Sequence, residues 1–129
     1  MTEGGEIVSV ASPYSVEESV ERLVQTINLR NLTVFAVIDH SGGAHAVGLD
    51  MPDTKVVIFG NPRSGTPVML AAPLSALDLP LKALVRADPD GSTQVSYLKP
   101  AALAARYGVN TELVAPLEGI KAIVTEAVK

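Results

Sequence analysis

The sequence predicts an α+β protein with a mainly antiparallel sheet and helices on one face. Three observations support this class. One amphipathic helix follows the first strand, an Asp-Gly turn joins two later strands directly, and the chain beyond residue 99 is helical. Parallel sheets instead alternate strands with long crossover helices. The 129 residues suit one domain, and we expect a single domain over residues 1–129.

The first elements are a strand and a well-capped helix. Residues 6–11 alternate polar and apolar side chains, which is typical of a half-buried strand. Ser15 and Glu18 form a capping box, in which each side chain can bond the other residue's backbone N–H. Apolar residues then recur at helical spacing. The sequence therefore predicts a helix over about residues 15–30.

Two apolar, β-branched runs follow at residues 32–38 and 55–59. Such runs predict strands, and we expect the first to be a central strand with both faces covered. Between them, a turn over 39–43 and a helical turn over 44–49 are expected. Because these strands leave few polar side chains for water, the sequence predicts a homodimer that forms through the sheet face.

The sequence of the second half predicts a β-hairpin with helices before and after it. Thr66 and Pro67 are typical of an N-cap and a first-turn proline. Gly108 is typical of a left-handed helix end, and Pro116 either lies in the first turn of the last helix or divides that helix from a preceding turn. The predicted elements are a short helix over 68–72, strands over 81–87 and 93–98, and helices over 100–108 and 113–127.

Composition excludes several kinds of site and partner. The chain has no cysteine and two histidines, so a thiolate site or cysteine nucleophile is excluded and we expect neither metal nor cofactor. The net charge is −4 and the basic residues are scattered, which argues against nucleic-acid binding. The apolar runs are too short to cross a membrane, and the N-terminus lacks a secretory pattern. We therefore expect a cytoplasmic protein without a membrane partner.

Three segments resemble the DUF302 family, a domain of unknown function. They are residues 34–40, 56–67 and 76–82, and the block Phe59-Gly-Asn-Pro-Arg-Ser-Gly-Thr-Pro67 is the most specific. The similarity extends over about residues 6–125. The resemblance implies a small β-α-β4-α domain, a TBP-like two-layer sandwich that is often dimeric, and no established activity. A TBP-like fold does not by itself carry the DNA-bending function.

The first candidate site is the glycine-bounded loop from Gly60 to Pro67. A strand, such a loop and a helix resemble a phosphate-binding loop. However, Thr66 and Pro67 stand where that motif needs Lys and Ser/Thr, so we do not expect nucleotide hydrolysis. Backbone N–H groups and a nearby cation could still bind a carboxylate or phosphate, and the predicted ligand contacts are Asn61, Arg63, Gly65 and Thr66. The alternative is a structural turn.

The second candidate site is the turn at Asp39 and His40. Histidine titrates near neutral pH, so His40 could be a general base. No nucleophile accompanies it, and the catalytic residues stay unassigned. Asp39 and His40 are therefore predicted as ligand contacts, with a purely structural turn as the alternative.

Three functions follow from these candidates. The leading hypothesis is a homodimeric, non-enzymatic domain that binds a small anionic ligand in one pocket shared by the Asp39–Ser41 turn and the Asn61–Thr66 loop. The alternatives are a small enzyme that uses His40 as general base, and a purely structural or protein-interaction module. A shared pocket requires the two segments to converge.

Overall fold

The structure, a computed structural model, describes residues 2–129 and contains one antiparallel sheet. Its strands are β1 Thr2–Gly4, β2 Ile7–Ser12, β3 Thr33–Asp39, β4 Thr54–Gly60, β5 Leu81–Ala87 and β6 Thr93–Leu98. They lie in the order β1-β2-β6-β5-β4-β3, and each neighbouring pair is antiparallel. The predicted α+β class with a mainly antiparallel sheet is confirmed.

The helices of the described chain include two that pack together over the sheet. They are α1 Val16–Leu29, α2 His40–Ala46, α3 Pro62–Ala71, α4 Pro100–Tyr107, α5 Thr111–Val114 and α6 Gly119–Ala127, with 3₁₀ turns at Pro73–Leu77 and Ala115–Glu118. Helix α1 lies against α6 and against strands β3, β4 and β5. The Ser15 hydroxyl accepts from the backbone N–H of Glu18 at 3.1 Å, as the capping box predicts.

The core lies between the sheet and this helix layer. Successive strand residues point to opposite faces, and alternate residues of β4 and β5 are fully buried, namely Val57, Phe59, Ala83 and Val85. The other side of the sheet, here called the open face, bears Ile7, Val56, Lys82, Leu84 and Leu98. Thus the sheet has one side in the core and one side turned away from the helices.

The prediction of β3 as a central strand is wrong. Within residues 2–129 it pairs with β4 alone and lies at the edge of the sheet. Phe35, Val37 and Ile38 are 51%, 45% and 42% exposed. An uncharged, β-branched run fits a central strand, but the composition of a strand does not show how many neighbours it has.

Helix α3 begins earlier than the sequence predicts. Asn61 is its N-cap, with Oδ1 accepting from the N–H of Arg63 at 3.0 Å, and Pro62 occupies the first turn. Thr66 and Pro67 therefore lie inside the helix. Both Asn61-Pro62 and Thr66-Pro67 have the form of a cap followed by proline, and the first pair is the one that starts the helix.

Two other boundaries also differ. Helix α2 begins directly at His40, since the Asp39 carboxylate caps it by accepting from the N–H of Gly42 at 2.9 Å. A Cβ at Gly42 would lie 2.5 Å from Asp39 Oδ2, so glycine permits this cap. In place of one continuous helix over 113–127, α5 and a 3₁₀ turn that contains Pro116 precede α6, which is the second of the two alternatives predicted for Pro116.

Candidate functional site

The turn after β3 is held by hydrogen bonds of Asp39. Its carboxylate accepts from the N–H of Gly42 and from the Ser41 hydroxyl at 2.8 Å, and these bonds lower the pKa of Asp39 below its ordinary value. Ser41 is buried and accepts from the N–H of Thr54 at 3.1 Å. His40 is exposed. The bonds of Asp39 thus cap α2 and do not orient the His40 ring, while Ser41 fastens α2 to the start of β4.

The two predicted site segments lie at opposite ends of the sheet. Asp39 pairs with Lys55 near the start of β4, whereas Thr33 pairs with Gly60 at its end. A strand of this length spans roughly 20 Å. The pocket predicted to be shared by the Asp39–Ser41 turn and the Asn61–Thr66 loop is therefore not formed, because consecutive antiparallel strands place their following turns at opposite ends.

One of these segments does line a cavity. The cavity has a volume of about 170 Å³ and is named here the Asn61 pocket; it is lined by Phe35, Gly60, Asn61, Pro62, Gly65, Thr66, Met69, Leu79, Pro80, Leu81 and Leu117. Three predicted contacts, Asn61, Gly65 and Thr66, belong to this lining. Arg63 is exposed and lies outside it.

The chemistry of the Asn61 pocket is mainly apolar. Its walls include Phe35, Met69 and Leu117, and its polar side chains are those of Asn61 and Thr66. Asn61 Oδ1 is already engaged by a backbone N–H, so its Nδ2 is the group able to donate to a ligand. The Thr66 hydroxyl can donate or accept. This arrangement suits an apolar body that carries one or two hydrogen-bonding groups.

A second, broader concavity lies on the open face. Its volume is about 520 Å³. Ile7 and Leu84 are among its apolar residues, and Lys82 and Arg86 add two cations. At least one cation is paired, since Arg86 binds Asp88. Among residues 2–129, no group of three or more His, Asp or Glu side chains is arranged to hold a metal ion.

A polar cluster joins the segment before β5 to α4. Arg106 donates to Asp78 at 2.8 Å and to Glu6 at 3.0 Å, and the Tyr107 hydroxyl also donates to Asp78. The bond from Tyr107, followed by Arg106, lowers the pKa of the Asp78 carboxyl. The cluster fixes the segment that carries Leu79 and Pro80, and it thereby positions one wall of the Asn61 pocket.

This cluster predicts a pH dependence of stability. Because the pKa of Asp78 is lower in the folded chain, its carboxylate stabilises the fold at neutral pH. That stabilisation is lost as the pH falls from about 4 through the folded-state pKa. Asp78→Asn should therefore destabilise at pH 7, and its difference from the unmodified protein should shrink toward pH 2. Urea unfolding at pH 7, 4 and 3 measures this, with Asp50→Asn, a fully exposed carboxylate, as control. A difference that stays constant with pH contradicts the assignment.

The domain of unknown function DUF302 matches residues 8–127. The chain belongs to the DUF302 family. The crystal structure of an uncharacterized conserved DUF302 protein from Bacillus stearothermophilus superposes with a TM-score of 0.85. It covers 98% of this chain and 100% of that chain at 20% identity, so it supports the DUF302 fold.

Two similar Brucella proteins are longer than this chain and are named as fluoride-specific ion channels. The fluoride-specific ion channel FluC 1 of Brucella suis biovar 1 is 37% identical over 121 residues, which cover 92% of this chain and 46% of that protein. FluC 2 of Brucella melitensis biotype 1 has the same identity over 43% of its length. The chain thus spans less than half of these relatives. In the described residues 2–129, every helix is too short or too polar to cross a membrane.

Proposed function

We propose that the chain is a binding domain that takes a small, mainly apolar molecule into the Asn61 pocket. The observation that carries this proposal is a cavity of about 170 Å³ with apolar walls and with Asn61 and Thr66 in its lining. For comparison, an engineered apolar cavity of about 150 Å³ in another protein binds benzene. The pocket therefore suits a ligand with one ring, or an aliphatic group of similar size.

The same geometry favours a neutral ligand over the anion that the sequence suggests. Arg63 lies outside the lining. At the start of α3, the N–H groups of Ser64 and Gly65 bond the Asn61 carbonyl at 2.9 and 3.0 Å, so they are not free to bind an anion. An apolar cavity also disfavours a charge that it does not pair. These points support a neutral group facing Asn61.

The domain is further proposed to work as a homodimer in the cytoplasm. Support for self-association comes from large apolar side chains that are exposed in one chain, including Phe35, Val37 and Ile38. Patches of this kind mark interaction sites. The interaction-module alternative is favoured by the greater length of the Brucella relatives, in which a matching domain accompanies further sequence. Fluoride conduction belongs to the name of those whole proteins and is not proposed for this chain.

A matched pair of probes tests the ligand proposal. Benzyl alcohol and benzoate both have one ring, but only benzoate is charged at pH 7. At ten times its dissociation constant, a ligand adds about 1.4 kcal/mol to the free energy of unfolding, or roughly 5 °C in melting temperature for a domain of this size. We expect benzyl alcohol to give the larger shift in a thermal-shift measurement. Equal or no shifts with both probes, or a larger shift with benzoate, contradict the neutral-ligand proposal.

A further inference from the structure

Strand β3 has the composition of an interior strand but the position of an edge strand. Residues 33–38 carry no charge, proline or glycine. Val37 pairs with the buried core residue Val57, whereas Ile38 pairs with Val56 of the open face. Yet Val37 and Ile38 are 45% and 42% exposed. The strand therefore presents apolar side chains to solvent on both sides of the sheet.

The free edge of β3 is less protected than such edges usually are: it carries neither lysine nor proline, although a register shift interrupts its first half. Edge strands are commonly short, or carry lysine or proline, because their unpaired N–H and C=O groups attract another strand. The other edge of the sheet, β1, has three residues, whereas β3 has seven. The register shifts between Val34 and Ala36, so the regular part of the edge runs from Ala36 to Asp39.

We propose that two copies of the chain pair antiparallel through the Ala36–Asp39 segment of β3. Joining two six-stranded sheets in this way gives one continuous twelve-stranded sheet. An antiparallel pair of identical strands has a twofold axis, so the same edge fits a second copy of itself. The inference rests on the homodimer proposed above and assigns its interface.

Charge favours this edge over the open face. Lys82 and the ion-paired Arg86 both lie on the open face of β5, so packing two open faces together would take these charged groups out of water. Residues 33–38 carry no charged side chain, so pairing along them takes no charge out of water.

Cysteine cross-linking tests the interface, because the natural chain has no cysteine. Directly opposed residues of an antiparallel pair have Cα atoms about 4.5–5.5 Å apart, within the range of a disulfide. Ala36→Cys, Val37→Cys and Ile38→Cys are made one at a time, and Val37→Cys and Ile38→Cys are also made in the same chain, since a twofold axis between these two residues places Val37 opposite Ile38 of the other copy; Leu84→Cys is the open-face control. In the edge-paired dimer the two Leu84 positions are five strand spacings apart, about 24 Å.

We expect at least one β3 variant to form a disulfide-linked dimer in more than half of its chains under mild oxidation, and Leu84→Cys to form little. Light scattering of the unmodified protein over 1–500 μM is measured in parallel. A dimer that cross-links in none of the β3 variants, the double variant included, overturns the edge interface but leaves the homodimer, whether or not Leu84→Cys cross-links. A monomer at every concentration overturns both, and circular dichroism confirms that each variant is folded.

Discussion

Replacing Phe59 with alanine is expected to lower the free energy of unfolding by about 3–5 kcal/mol. Phe59 is fully buried, and it lies on β4 opposite Val34 of β3 and Leu81 of β5. Truncation removes the buried ring and leaves a cavity that such a crowded site cannot fill. Because small domains are stable by only about 5–15 kcal/mol, the variant should melt far below the unmodified protein.

The chain offers a matched control for this change. Phe35 is the only other phenylalanine and is 51% exposed on the neighbouring strand. Phe35→Ala should lower the free energy of unfolding by roughly 1 kcal/mol, because about half of the Phe35 ring already contacts water in the folded chain. Urea unfolding followed by circular dichroism compares the two. If both variants lose the same stability, Phe59 is not part of the core as described.

Filling the Asn61 pocket is expected to weaken ligand binding at least tenfold without loss of stability. Gly65 lies within α3, and a Cβ there would contact only Met69 Cε, at 3.8 Å. Leucine at this position therefore projects into the pocket. Replacing a helical glycine also favours the helix by about 0.5–1 kcal/mol. Gly65→Leu should reduce the affinity for benzyl alcohol at least tenfold while the melting temperature of the free protein stays the same or rises.

The control is the same substitution in a different helix. Gly43 lies in α2, where a Cβ would meet no atom within 4 Å, and it is outside the lining of the pocket. Gly43→Leu should bind benzyl alcohol as the unmodified protein does. Calorimetric titration of the three proteins gives the comparison. Binding that survives Gly65→Leu would place the ligand elsewhere and contradict the Asn61 pocket.

Local signals in the sequence predicted most of the elements correctly. The capping box before α1, the Asp-Gly turn between β5 and β6, and the glycine end of α4 at Gly108 (φ 65°) each depend on a few neighbouring residues. The position of β3 at the sheet edge depends on which strands pair. Hydrophobic pattern alone does not encode that pairing, so an edge and a central strand look alike.

The candidate site was predictable only in part for the same reason. Asn61, Gly65 and Thr66 lie within six residues of one another, at the cap and in the first turns of α3, and their residue types mark a helix start. Phe35 and Leu117 reach the same pocket from distant parts of the chain. Likewise, Asp78 bonds a hydroxyl 29 residues further along. No short sequence motif connects these residues, and only the topology brings them together.

Phe35 belongs to both the pocket wall and the strand proposed to join two copies. A molecule bound against its ring and a second chain paired beside it would act on the same side chain. If the bound small molecule raises the affinity of one chain for another, then thermodynamic reciprocity requires that dimerisation raises the affinity for the small molecule by the same factor. In that case the ratio of dimer to monomer would depend on the concentration of the small molecule. A protein attached to the domain would respond to that ratio.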